Sequence, residues 1–332
     1  MNGRNLSKVV HGGTGIRIKR KTGASILDFS ASINPYPPHL ESGITQEYLD
    51  VYPDDGYEEL KSVIARHLGR DSDEVTVGNG SIEVIRVLCS TVLSPGDTIS
   101  ITRPTFGEYE FSAKLAGATP AAGPGSKIHF LCNPNNPTGY LMEKDEILRL
   151  LDRCSREGCI LAIDEAFIEI SDDPSHQVAD ISHPSLFVIR SLTKSYAVPG
   201  IRFGFGLGDP AIIEQMEMRR LPWSVNAIAE KMAIAAFTEH GDLSYSRKRI
   251  REERERVCTA LADLPVEVIP SRTNFLLLNL DRDVAPLCEA LLHKGILVRD
   301  CHSFGLPCSI RIAVRRREDN MRLVEALSEC LH

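Results

Sequence analysis

Short apolar runs alternate with longer amphipathic stretches through the first two thirds of this chain. The runs at 98–102, 128–132, 160–163, 186–189 and 203–207 are bounded by polar or turn-forming residues, as buried strands are. Between them, 81–93 and 144–157 carry their apolar residues at helical spacing. Strands that are apolar on both faces and separated by helices predict a mainly parallel sheet covered by helices, an α/β arrangement.

Beyond residue 227 the pattern changes. Residues 227–264 are expected to form one long helical stretch, with ArgLysArgIleArgGluGluArgGluArg at 247–256 on a solvated face. The strand-like ThrAsnPheLeuLeuLeuAsnLeu at 273–280 follows, and 284–294, 309–314 and 318–330 complete a small α+β unit. The expected organisation is an N-terminal arm (1–36) packed with the small domain, a large domain (37–235) and a small C-terminal domain (236–332). The boundary falls inside the long helix. Neither an internal repeat nor a low-complexity linker divides the chain further.

Composition narrows the function. A chain of 332 residues has material for a large core and a smaller companion. Its net charge of -7 disfavours a nucleic-acid partner. The N-terminal MetAsnGlyArgAsnLeuSerLysValValHisGlyGly lacks the apolar stretch of a secretory leader, and no run approaches the roughly 20 apolar residues that span a bilayer. The expected location is the cytoplasm, without a membrane partner. Nine cysteines contain no CxxC pair, so reduced thiols are expected, with neither a disulfide framework nor a metal site.

Four polar turns at the ends of apolar runs carry the candidate chemistry. In LeuPheValIleArgSerLeuThrLysSerTyrAla, a strand runs into a turn whose one lysine, Lys194, has Ser191 three residues before it and Arg202 eight after it. An exposed lysine is the plain reading, but a hydroxyl and a guanidinium beside an amine can also converge on a phosphate. In LeuAlaIleAspGluAlaPhe, Asp164 ends an apolar run at the sheet edge where open α/β folds bind ligands, although a strand-ending aspartate is as often a helix cap. CysAsnProAsnAsnProThrGly places Asn136 in a third such turn. GlyAsnGlySerIleGlu at 78–83 opens a helix, which leaves the amides of Gly80, Ser81 and Ile82 for an anion or for ordinary capping. Phe106, in ArgProThrPheGlyGluTyr, is either core or a stacking ring.

The ordered set GlySerIleGlu, AsnAsnProThrGly, AspGluAla, SerLeuThrLys and an arginine eight residues past the lysine resembles fold-type I pyridoxal-phosphate enzymes of the class I/II aminotransferase family. The resemblance spans nearly the whole chain. It implies pyridoxal 5'-phosphate as cofactor, with Lys194 as its covalent anchor, Asp164 on its ring nitrogen and Asn136 on its ring oxygen. Phe106 would stack on the ring, and Gly80, Ser81, Ile82, Ser191 and Arg202 would surround its phosphate. Tyr57 would reach the cofactor phosphate of a partner subunit, which implies a homodimer.

Two branches of that family compete. One decarboxylates O-phospho-L-threonine to (R)-1-amino-2-propanol O-2-phosphate for cobalamin synthesis, and the other transaminates histidinol phosphate with 2-oxoglutarate. HisGlyGly (11–13), AspPheSerAlaSerIleAsnPro (28–35), TyrProAspAspGlyTyr (52–57), AlaValProGlyIleArg (197–202), ProTrpSerValAsnAla (222–227) and ArgIleAlaValArg (311–315) resemble the decarboxylases more closely. Phe167 also fits them, since the aminotransferases usually carry tyrosine there. That likeness implies a small phosphorylated amino acid as substrate, held by Asn136, Arg299 and Arg311, with His11 and Gly12 closing over its phosphate. Ser32 departs from the pattern, which has asparagine, so the preference for substrate length is expected to differ, and serine phosphate is a further candidate. A cofactor-binding protein without turnover is a third reading, disfavoured by the intact set of Lys194, Asp164, Asn136 and two arginines.

Overall fold

The apolar runs become neighbours in one seven-stranded sheet. The computed structural model describes residues 6–40, 43–121, 125–238 and 242–331. In it the strands lie in the order Val75–Gly78, Gly204–Leu207, Leu186–Ser191, Ile160–Asp164, Ile128–Cys132, Thr98–Ile101, Thr119–Pro120. Gly204–Leu207 runs against both neighbours, and every other pairing is parallel. Leu186–Ser191 is buried at all positions, which explains the unbroken apolar run Leu186–Ile189. The helix Lys144–Arg156 covers the sheet with Ile147, Leu151 and Cys154, spaced four and three residues apart. Cys132, Asp164 and Ser191 end adjacent strands, so their side chains gather at one edge.

A second sheet of four antiparallel strands has the order Arg299–Asp300, Ser309–Ala313, Phe275–Asn279, Glu267–Ile269. It has its own apolar cluster, including Leu276, Leu278, Ile310, Ile312 and Leu327. Phe29 joins that cluster from the far end of the chain. Leu27–Asp28 pairs in parallel with Ile296–Leu297, and the Phe29 carbonyl accepts the Ala313 N–H at 2.9 Å.

Two expectations are corrected. Residues 227–264 form two helices, Ala227–Thr238 and Ser244–Leu261, and just ahead of the second the Asp242 carboxylate accepts the Ser244 N–H and Oγ–H, each at 2.8 Å. The second helix joins both cores, with Ile250 in the large cluster and Val257 and Leu261 in the small one. Nor is the basic run wholly solvated. Arg254 is buried and donates to the Thr273 carbonyl (3.0 Å) and to Asp172 Oδ2 (2.6 Å), while Arg251 reaches the same aspartate. A guanidinium tolerates such burial when its donors find acceptors. Among the described residues, no helix is long and apolar enough to cross a membrane.

Candidate active site

The carboxyl edge of the large sheet faces the second sheet across a cavity of about 350 Å³. All the residues singled out from the sequence line it except Gly80 and Tyr57. Three sources converge: the loops that follow the large-sheet strands, the two arginines of the second sheet, and residues 9–12 of the N-terminal arm.

Lys194 sits in the short helix Leu192–Ser195, immediately after the Leu186–Ser191 strand. Its amine makes neither a hydrogen bond nor an ion pair among the described residues. Burial of the amine, with Arg311 and Arg202 nearby, lowers its pKa to about 8, against the pull of Asp164. A neutral fraction near neutral pH far larger than that of an ordinary lysine makes this amine more nucleophilic.

Asp164 is buried and has no cationic partner within ion-pair distance among the described residues. Burial raises its pKa, opposed by the Tyr109 hydroxyl on Oδ2 (2.8 Å) and the Ala166 N–H on Oδ1 (3.0 Å). Beside it, the Cys132 thiol is pushed up to about 12 by burial and stays protonated.

One end of the cavity is an anion cradle. Ser81 and Ile82 open the helix Ser81–Val92, so their N–H groups have no intrahelical acceptor. Gly80 stands just behind at φ 82, where a Cβ would lie 2.5 Å from Arg202 Nη2. At Gly204 a Cβ would overlap the Ser81 amide, so the antiparallel strand can approach the turn only through glycine. Arg202 holds a left-handed backbone (φ 58), a strain retained where its guanidinium flanks the cradle. Ser191 Oγ lies 2.8 Å from Thr193 Oγ1.

The opposite wall is cationic. Arg299 and Arg311 are register partners on adjacent strands, both are buried, and no carboxylate pairs with either among the described residues. Arg311 donates to the Asn136 side-chain oxygen and to the Ser30 carbonyl (2.8 Å), while burial lowers its pKa to about 10. Arg299 donates to the Val10 carbonyl (2.8 Å) and to Ser303 Oγ (2.6 Å). Ser32 Oγ and Arg311 Nε are buried without a hydrogen-bond partner. Groups in that condition suit a ligand.

The arm closes the mouth. His11 Nε2 lies 2.8 Å from Glu108 Oε1, and its ring is 5.8 Å from that of Phe106. Burial works to raise the Glu108 carboxyl, but the hydrogen bond and charge of His11, with Arg86, outweigh it and hold the pKa below the usual range. Gly12 packs against the Ser30 carbonyl, where a Cβ would overlap it.

Tyr57 requires a correction. It is fully buried within its own chain, and its hydroxyl donates to the Val225 carbonyl (2.9 Å) while accepting the Val225 N–H (3.1 Å). With both capacities spent in the core, it is not free to reach a partner's phosphate. The cavity also holds Ser30, Cys132, Thr193, Ser303 and Phe304, which the sequence reading did not single out. Ser30, Cys132 and Thr193 lie inside segments that the sequence marks, whereas Ser303 and Phe304 had no local signal.

An unpaired amine, an ion-pair-free buried carboxylate and a glycine-backed anion cradle fit pyridoxal phosphate, which needs an attachment point, a partner for its ring nitrogen and a phosphate site. The fold and this site define an α/β enzyme built to hold such a cofactor. Residues 27–327 match the family described as Aminotransferase class I and II, and the chain belongs to that family of pyridoxal-phosphate-dependent enzymes. It is 33% identical to a histidinol-phosphate aminotransferase of Symbiobacterium thermophilum, over 84% of this chain and 82% of that one. It is 35% identical to a Caldanaerobacter subterraneus subsp. tengcongensis protein named "Putative threonine-phosphate decarboxylase", over 90% and 88%. The crystal structure of the histidinol-phosphate aminotransferase from Clostridium acetobutylicum superposes with a TM-score of 0.82 at 29% identity, covering 92% of this chain and 98% of that one.

Proposed function

We propose that this enzyme decarboxylates a small phosphorylated amino acid, O-phospho-L-threonine, to 1-amino-2-propanol O-2-phosphate and CO2, a step of cobalamin synthesis. The observation that carries this reading is the adjacent pair of buried arginines, Arg299 and Arg311, without carboxylate partners. Two such sites in one small cavity suit a single substrate with both a carboxylate and a phosphate.

Pyridoxal phosphate, when bound, supplies the electron sink that lets a bond at the substrate's α-carbon break. Lys194 would anchor it, and its Nζ would hold or move a proton. Asp164 would set a negative charge against the ring nitrogen, Asn136 would donate to the ring oxygen, and Phe106 would limit ring movement. The Ser81 and Ile82 amides, Ser191 and Arg202 would hold its phosphate, with Gly80 allowing Arg202 its place. Arg311 takes the substrate's carboxylate and Arg299 its phosphate, which fixes the bond that is aligned to break. His11 and Gly12 cover the phosphate end and exclude water, and Ser32 bounds the space for the side chain.

The same reading includes a cytoplasmic homodimer and the three-part division at 1–36, 37–235 and 236–332. Tyr48, Leu49, Val51, Tyr52, Leu221 and Trp223 are exposed, and the Tyr52 and Trp223 rings lie 4.6 Å apart. An apolar patch of this kind suits a second copy of the chain. Histidinol-phosphate transamination is the second reading, favoured by the aminotransferase-named relative.

The deciding experiment incubates cofactor-loaded protein with O-phospho-L-threonine, and separately with histidinol phosphate and 2-oxoglutarate, following products by mass spectrometry. CO2 and aminopropanol phosphate, abolished in Lys194→Ala, are the expected result. Glutamate from histidinol phosphate without CO2 release would overturn the decarboxylase reading.

A further inference from the structure

Behind Asp164, outside the cavity lining, Tyr109 is fully buried with its hydroxyl 2.8 Å from Asp164 Oδ2. Among the described residues this carboxylate has two hydrogen bonds, that one and the Ala166 N–H on the other oxygen. A buried carboxylate without an ion pair depends on its donors to stay charged. Burial and the Asp164 charge hold the Tyr109 pKa well above the phenolic value, so the hydroxyl remains a donor. The ring is clamped as well, stacked on Phe130 (centroids 5.0 Å apart, planes at 5°) and edge-on to Phe106 (5.6 Å, 80°). A side chain so packed holds its hydroxyl at one point in space.

We infer that Tyr109 is a positioning residue that fixes the orientation and negative charge of Asp164, and through it the protonation of the cofactor's ring nitrogen. The inference rests on the reading that Asp164 faces that nitrogen. The other titratable groups that bear on Asp164 are Lys194, whose charge favours the carboxylate, and Cys132, which stays neutral. Tyr109 also braces Phe106, so one ring supports both the partner of the ring nitrogen and a wall of the cavity.

The test loads wild type, Tyr109→Phe, Asp164→Asn and the double variant with pyridoxal phosphate isotope-labelled at its ring nitrogen. NMR reads nitrogen protonation, and equilibrium titration reads cofactor affinity. Asp164→Asn is expected to give the unprotonated signal. Tyr109→Phe is expected to shift the signal toward it and to weaken cofactor binding about tenfold, the scale of a lost hydrogen bond to a charged group. In the double variant the tyrosine change is expected to add nothing. Should Tyr109→Phe not fold, Tyr109→His, which keeps a donor, is expected to hold the protonated signal, and its loss in folded protein counts against the inference. A signal and an affinity unmoved in Tyr109→Phe, with Asp164→Asn shifted, overturn the inference and leave the site reading standing. An unmoved signal in Asp164→Asn overturns both.

Discussion

Lys194 is costly to the folded chain in the form that chemistry needs. Its folded pKa, about 8, lies below the 10.5 of an ordinary lysine. A depressed folded pKa contributes stability above the unfolded value and loses it as pH falls through the folded one, so at pH 7 the buried ammonium costs at most about 3 kcal/mol. Lys194→Met should therefore make the cofactor-free protein more stable than wild type at pH 7, with the gap closing as pH rises from 8 toward 10. Urea unfolding across that range measures it, and a constant gap would show that the amine is well solvated. Lys194 and Asp164 were legible because each ends an apolar run with a polar turn. Tyr109 was not, since a tyrosine among helical residues reads as core, and only the fold brings position 109 to position 164. Tyr57 failed for the converse reason: a tyrosine's partner cannot be read from its neighbours in the chain.

Between elements, the tightest constraint lies where Gly204 of the antiparallel strand meets the Gly80–Ser81 turn. Gly204→Ala would force that turn outward, at about 1–3 kcal/mol of stability by the usual cost of overpacking. Cofactor affinity should fall with it, as measured by thermal unfolding and by cofactor titration, because the displaced amides are those of the cradle. The parallel part of the sheet followed from apolar runs separated by helices. The direction of Gly204–Leu207 did not, although a clue existed: residues 192–203 hold only the short helix Leu192–Ser195. One turn of helix does not cover the sheet as the crossover helix of a parallel neighbour usually does. A second consequence concerns the buried Arg190, whose Nε meets Glu165 at 2.8 Å behind the site. Glu165→Gln leaves that guanidinium with only its longer pair to Glu169 (3.4 Å) as charge partner and should cost about 3 kcal/mol, read by denaturant unfolding.

At the scale of the molecule, residues 9–12 bridge the two sheets, with Val10 held by Arg299 and His11 by Glu108. Glu108→Gln weakens the latter hold without touching the cradle. KM for the phosphorylated substrate should rise roughly tenfold with cofactor affinity unchanged, and steady-state kinetics beside cofactor titration separate the two effects. The apolar patch around Tyr52 and Trp223 makes a further prediction: the protein sediments as a dimer, and Trp223→Arg sediments as a monomer. The small sheet was legible as a late α+β unit, but the separate pairing of Leu27–Asp28 with Ile296–Leu297 beside it, and the packing of Phe29 into its core, were not, because nothing local marks a two-residue strand whose partner lies so far along the chain.

That pairing has a consequence for synthesis. Leu27 is made long before its neighbour Ile296. The large sheet takes all its strands from residues 75–207 and can form while translation continues, whereas the arm must wait, unpaired, until Ile296–Leu297 has been made. A ribosome stalled before residue 296 is therefore expected to carry a chain whose large sheet has formed, whose arm is unpaired and whose cavity still lacks Arg299 and Arg311.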